Sequence, residues 1–196
     1  ILFTRNGDSA NDYFGQSVSA AGDVNNDGYA DVIVGSRYDD NNGTNSGSAR
    51  VLSGANGAIL YTFNGDGVDD EFGRSVGAAG DVNDDGFMDL IVGAPNDDNN
   101  GSNSGSARVL SGASGATLYT FSGDSASDLF GVSVSGAGDV NNDGYADVIV
   151  GAYLDDNNGT DSGSARVLSG ATGAVLYAFN GDNASDYFGY SVSAAG

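Results

Sequence analysis

Twenty-seven acidic residues against six basic ones leave this 196-residue chain with a formal net charge of −21, which excludes nucleic acid and anionic membranes as partners. There is no His, Cys or Lys, and Glu71 is the only Glu, so thiolate, disulfide and imidazole chemistry are all ruled out. Hydrophobic residues at 39% suffice for a core, and 33 Gly without the every-third spacing of collagen predict tight turns in an all-β chain.

Residues 1–4 (Ile-Leu-Phe-Thr) open the chain as a strand. The pair Phe14-Gly15 then starts a unit that returns at Phe72-Gly73, Phe130-Gly131 and Phe188-Gly189, a constant step of 58 residues. Asp23, Asp81 and Asp139 keep the same step, as do Arg50, Arg108 and Arg166. A fixed period of this size means one supersecondary unit stacked on copies of itself. Within the first unit the strands are predicted at 16–21, 31–35, 49–53 and 59–63, each short, rich in β-branched or aromatic residues and bounded by Gly, Asn or Asp. Asn56-Gly57 is a hairpin turn signal, because both residues tolerate positive φ. Val32-Ile33-Val34 shows no polar alternation, so both faces of that strand should be buried.

Four-stranded antiparallel sheets buried on both faces and repeated radially make a β-propeller. The expected organisation is the fourth strand of a preceding blade and linker over 1–13, full blades over 14–71, 72–129 and 130–187, and a further first strand over 188–196. That gives fourteen strands, or three and a half blades, where closed propellers hold about four to eight. Either a longer array or association of copies should therefore complete the ring.

Between its first two strands each unit carries the pattern D-x-N-x-D-G-x-x-D. The side chains of Asp23, Asn25 and Asp27, at alternate positions, set three oxygens around one point, and Gly28 permits the sharp turn. The carbonyl of Tyr29 and the carboxylate of Asp31 would complete the shell. The other copies are Asp81, Asn83, Asp85, Phe87 and Asp89, then Asp139, Asn141, Asp143, Tyr145 and Asp147. Hard oxygen ligands in a flexible loop select Ca²⁺, so one calcium is expected per complete repeat, three in all. An EF-hand would carry Glu at loop position twelve, where Val34, Val92 and Val150 stand instead. Metal-free Asx turns are the plainer alternative. Against it, like charges 4 Å apart repel by about 4 kcal/mol at an effective dielectric near 20.

With these motifs the unit resembles the FG-GAP repeat of the integrin α-subunit β-propeller and its bacterial relatives. Phe-Gly supplies the first half of that signature, and Gly93-Ala94-Pro95 supplies the second literally, drifting to Gly35-Ser36-Arg37 and Gly151-Ala152-Tyr153. The resemblance implies calcium in the hairpin just described and a ligand-engaging face at the opposite end of the blades. The loop beginning Asp39-Asp40-Asn41-Asn42, repeated from Asp97 and Asp155, is predicted on that opposite face together with the links between units. Arg50, Arg108 and Arg166 are expected to neutralise nearby carboxylates, and the Phe of each Phe-Gly to pack between blades.

The resulting expectation is a non-catalytic, calcium-binding recognition or adhesion module at the cell exterior, with a protein or glycan ligand and no membrane insertion. A propeller of a carbohydrate-active enzyme or lectin, and a purely structural spacer, are the alternatives. Without His, Cys or Lys, and with carboxylates gathered only in apparent metal loops and turns, an active site is hard to assemble.

Overall fold

The computed structural model describes residues 3–195. Twelve strands occur among them: β1 Ser17–Gly22, β2 Asp31–Ser36, β3 Ser48–Leu52, β4 Ile59–Asn64, β5 Ser75–Gly80, β6 Asp89–Ala94, β7 Ser106–Leu110, β8 Thr117–Ser122, β9 Ser133–Gly138, β10 Asp147–Ala152, β11 Ser164–Leu168 and β12 Val175–Asn180. No described residue is helical. The strands form three four-stranded antiparallel sheets in sequence order, β1 to β4, β5 to β8 and β9 to β12. Each is a propeller blade, and the innermost strands β1, β5 and β9 lie side by side.

The hydrophobic cores lie between blades, so the second strand of a blade with a neighbour on each side is apolar on both faces. Ile33, Ala49 and Val51 of the first blade pack on Phe72, Leu90 and Val92 of the second. Ile91, Ala107 and Val109 point the other way, onto Phe130, Val148 and Val150 of the third. This period-two division explains why the strand Leu90-Ile91-Val92 has no polar member. Polar cross-links join the blades at the inner strands, where Ser17 Oγ donates to the Gly73 carbonyl at 2.7 Å and Ser75 Oγ to that of Gly131 at 2.8 Å.

Among the described residues, the expected half-blade strands at the two ends are not seen. Residues 190–195 make no ladder, and Phe3 and Thr4 are not in a strand; Ile1 and Leu2 lie outside the described residues. A first strand needs the second strand of its own blade to pair with, as β1 pairs with β2 from Ser17↔Gly35 to Gly22↔Asp31. Residues 190–195 have no such partner and lie against the third blade, where the Val192 amide donates to Ser133 Oγ at 3.0 Å.

Candidate metal centre and the opposite face

The register places the two acidic loop sets at opposite ends of every blade. Gly22 pairs with Asp31, so the β1–β2 loop closes at that end. Ser36 pairs with Ser48 and Ser48 with Asn64, so the Asp39-Asp40 loop and the link from β4 to β5 leave from the other end.

In the first hairpin the side chains at positions one, three and five curl inward onto the loop's own amides. Asp23 accepts from the amides of Asp27 at 3.0 Å and Gly28 at 2.8 Å, Asn25 Oδ1 accepts from Asp27 at 3.1 Å, and Asp27 accepts from Tyr29 at 2.9 Å. Gly28 at φ +88° and Asn26 at +54° supply the left-handed steps that this curl needs. Asp81, Asn83, Asp85 and Phe87 repeat the arrangement, as do Asp139, Asn141, Asp143 and Tyr145.

The ninth residue has a different environment. Asp31 is buried, and its two oxygens accept from Val24 N at 3.0 Å and Gly54 N at 2.9 Å, tying the hairpin to the β3–β4 turn. Asp89 and Asp147 are held in the same way by Val82 and Gly112 and by Val140 and Gly170. Burial pushes the Asp89 carboxyl up to about 6, against the lowering effect of its two amide donors. The loop is thus preformed from hard oxygen groups, a donor set that suits Ca²⁺. Asp23, Asn25 and Asp27 are brought together; Asp31 stands at the base, engaged with backbone.

On the opposite face the structure joins the first Asp of each Asp-Asp loop to two link carboxylates that the sequence reading did not single out. Asp8, Asp12 and Asp39 converge, as do Asp66, Asp70 and Asp97, and Asp124, Asp128 and Asp155, with ligand-capable oxygens within 4.8 Å of one another. The period held the signal, since Asp8, Asp66 and Asp124 are 58 residues apart, and so are Asp12, Asp70 and Asp128. Each triad already has a cation beside it. Arg50 pairs with Asp8 and Asp39, Arg108 pairs with Asp66, and Arg166 pairs with Asp124 at 2.6 Å and Asp155 at 3.4 Å.

The same guanidinium groups lie over the rings of the Phe-Gly pairs, Arg108 over Phe72 at 4.9 Å and Arg166 over Phe130 at 5.4 Å. Link, arginine and phenylalanine therefore form one joint between successive blades. Within the joint, Arg50 holds the Asp8 carboxyl below its ordinary range despite partial burial. Burial, then the charges of Asp97 and Asp66, pushes Asp70 up to about 6. Burial and the hydrogen bond with Asp124 push Asp128 up to about 7.

Blades of this repeat length, an Asp- and Asn-rich loop between the first two strands of each and a Phe-Gly joint between sheets define a class of β-propeller repeat proteins. The FG-GAP repeat family profile matches residues 14–52, 72–110 and 130–168, and the chain belongs to that family. Its relatives include integrin alpha-4 of Xenopus laevis, 31% identical over 171 residues, which cover 80% of this chain and 16% of the relative. Integrin alpha-V of Gallus gallus is 31% identical over 172 residues, 78% of this chain and 16% of its own length. The chain thus spans about a sixth of the curated relatives it matches. Among solved structures, the Dos1 propeller superposes with a TM-score of 0.49 at 13% identity, over 83% of this chain and 35% of that one.

Proposed function

We propose that this chain is a calcium-stiffened propeller module that recognises a protein or glycan ligand outside the cell, without catalysis. The observation that carries the reading is the D-x-N-x-D-G-x-x-D hairpin, present three times with the same inward hydrogen bonds. Asp23, Asn25 and Asp27, the Tyr29 carbonyl and Asp31 would hold the first Ca²⁺, and Asp81 to Asp89 and Asp139 to Asp147 the other two. A bound ion supplies positive charge that replaces the loop amides as the partner of these oxygens. Integrin α relatives support a cell-surface setting, where calcium is abundant enough to fill sites of moderate affinity.

Ligand recognition is assigned to the face opposite the calcium hairpins, formed by the Asp39-Asp40, Asp97-Asp98 and Asp155-Asp156 loops and the inter-blade links. Self-association, or continuation into further repeats, completes the partner set. Titration calorimetry of chelator-stripped protein tests the metal, and binding of three Ca²⁺ is the expected result; no heat and no bound calcium would reduce the hairpins to Asx turns. A glycan array probed in calcium and in chelator separates a lectin from a protein-binding module.

A further inference from the structure

We infer that the inner rim of the face opposite the hairpins, centred on Arg37, Tyr38, Glu71 and Arg74, docks an acidic segment of a protein partner. The inference rests on the reading of that face as the recognition face and decides for a protein over a glycan. It does not depend on calcium or on how the ring is completed.

The three complete units copy one another so closely that only seven positions differ in all three. Three of the seven keep one structural role. Asn56, Ser114 and Thr172 each accept the amide two residues on, from Ala58 at 2.8 Å, Ala116 at 3.3 Å and Ala174 at 3.3 Å. Ile59, Thr117 and Val175 are all β-branched and all open an outer strand. Gly67, Ser125 and Asn183 are all turn formers in a link. The other four positions change charge, polarity and shape from unit to unit. They hold Gln16, Arg74 and Val132; Arg37, Pro95 and Tyr153; Tyr38, Asn96 and Leu154; and Glu71, Leu129 and Tyr187.

The fold gathers those four. Ser17 pairs with Gly35 and Ser75 with Gly93 at the blade end away from the hairpins. Gln16 and Arg37 therefore lie just past that end, beside the links, and next to the innermost strands. At the first joint the Arg37 guanidinium is 4.3 Å from the centre of the Tyr38 ring and reaches Glu71 at 3.4 Å, while Arg74 reaches the same carboxylate at 3.6 Å. In the third unit the Tyr153 ring meets that of Tyr187 at 6.0 Å. Arg37, Tyr38, Arg74, Leu129, Val132 and Tyr153 are all half-buried, so each keeps surface for a ligand.

Chemistry narrows the occupant. Two guanidinium groups share one carboxylate at long range, and the buried Nε of Arg37 has no acceptor, so this joint lacks negative charge in a chain of net charge −21. An incoming carboxylate supplies the charge-assisted partner that these arginines want. The next joint offers Pro95, Leu129 and Val132, which suit apolar side chains, and the third offers tyrosines. Tyr and Arg are also the side chains that protein interfaces concentrate. A repeating glycan would meet the same Asp-Asp loop on every blade but a different rim on each. A protein surface does not repeat, and it can match three unlike rims.

The test pans a random peptide display library on the intact chain in calcium and measures the enriched peptides, as free peptides, by fluorescence anisotropy. Peptides carrying Asp or Glu beside apolar or aromatic residues are expected. The deciding variant grafts the second unit's residues onto the first, Arg37→Pro, Tyr38→Asn, Glu71→Leu and Arg74→Val. The same scaffold already carries them one repeat later, so the fold survives, checked by circular dichroism. The graft should weaken binding on the order of a hundredfold, because the peptide carboxylate loses its charged partners. Arg74→Gln and an acid-to-amide change in the peptide, measured singly and together, should give losses that do not add. Enriched peptides without a carboxylate, undiminished binding to the graft, or additive losses would overturn the inference. A peptide or array glycan that binds the graft normally but is lost with Asp40→Asn would leave recognition on this face and move it to the repeated loops, against the inference. No binder from either the peptide library or a glycan array would remove the recognition reading as well.

Discussion

Gly93 and Gly131 meet across the second and third blades so closely that a Cβ on Gly93 would stand 1.9 Å from the Gly131 carbonyl oxygen. The same approach joins Gly35 to Gly73 at 2.0 Å and Gly151 to Gly189 at 1.9 Å. These contacts unite the two halves of the repeat signature, the glycine after β6's Val92 and the glycine of the next Phe-Gly. Gly93→Ala is therefore expected to force the blades apart and to cost about 1–3 kcal/mol or more, the range of overpacked interiors. Gly77→Ala is the control. Its Cβ would meet nothing nearer than 3.5 Å, and Ser19 and Ser135 occupy the equivalent positions, so a change within about 0.5 kcal/mol is expected. Urea denaturation of both variants provides the comparison.

The blade was legible because its determinants are local. Strands read at 16–21, 31–35, 49–53 and 59–63 fall within a residue of Ser17–Gly22, Asp31–Ser36, Ser48–Leu52 and Ile59–Asn64. Alternation, Gly punctuation and the 58-residue period sufficed. What escaped depends on partners distant in sequence. Residues 190–195 copy a first strand in composition, yet a strand exists only when its ladder partner does. Arg50 pairs with carboxylates as its sequence context suggests, but its partner Asp8 lies 42 residues away, across from a link to a blade. The joint of Asp8, Asp12, Asp39 and Arg50 therefore emerges only from the fold. So does the separate position of Asp31, whose oxygens are drawn to Val24 and Gly54 at the base of the hairpin.

Core substitutions should report which faces are covered. Ile91 is fully buried between the second and third blades, and Ile91→Ala is expected to cost about 2–5 kcal/mol. Ile149, the same residue one repeat later, is only half-buried on the open rear of the third blade. In dilute monomer, Ile149→Ala should cost less than Ile91→Ala. Equal losses in denaturant midpoints would mean that the third blade's rear face is covered after all.

Acidity should stabilise the metal-free protein over part of its range. Asp70 and Asp128 are raised to about 6 and about 7, well above the ordinary carboxylate range. The folded chain then binds protons that the unfolded chain has released, so this contribution is fully present below about pH 4 and is lost as pH rises through 6 to 7. Asp8 and Asp124, lowered by Arg50 and Arg166 against the effect of burial, work oppositely and lose their contribution only in stronger acid. In chelator, the denaturation midpoint should accordingly be higher at pH 5 than at pH 8. Asp70→Asn with Asp128→Asn should flatten that slope; a profile unchanged by the double substitution would remove these two carboxyls as its source.

Calcium should reverse that preference and dominate the total. Each hairpin brings Asp at positions one, five and nine, and three bound ions would set +6 against the formal −21. A ligand that binds only the folded state adds about 2.7 kcal/mol when its free concentration is a hundredfold above its dissociation constant. Three independent sites would add roughly 8 kcal/mol, comparable with the whole stability of an ordinary domain, about 5–15 kcal/mol. Chelation is therefore expected to lower the melting temperature sharply. Asp143→Ala, which removes the fifth-position oxygen of the third hairpin, should leave two ions bound and about a third of the calcium-dependent stabilisation missing. Because a cation favours ionised ligands, the added stability is present at neutral pH and disappears in acid, opposite in sign to the trend in chelator. Melting curves in calcium and in chelator, read beside calorimetric stoichiometry, decide the matter. Superimposable curves at pH 7 would show that the inward hydrogen bonds of Asp23, Asp81 and Asp139 to their own loop amides are all that these hairpins make.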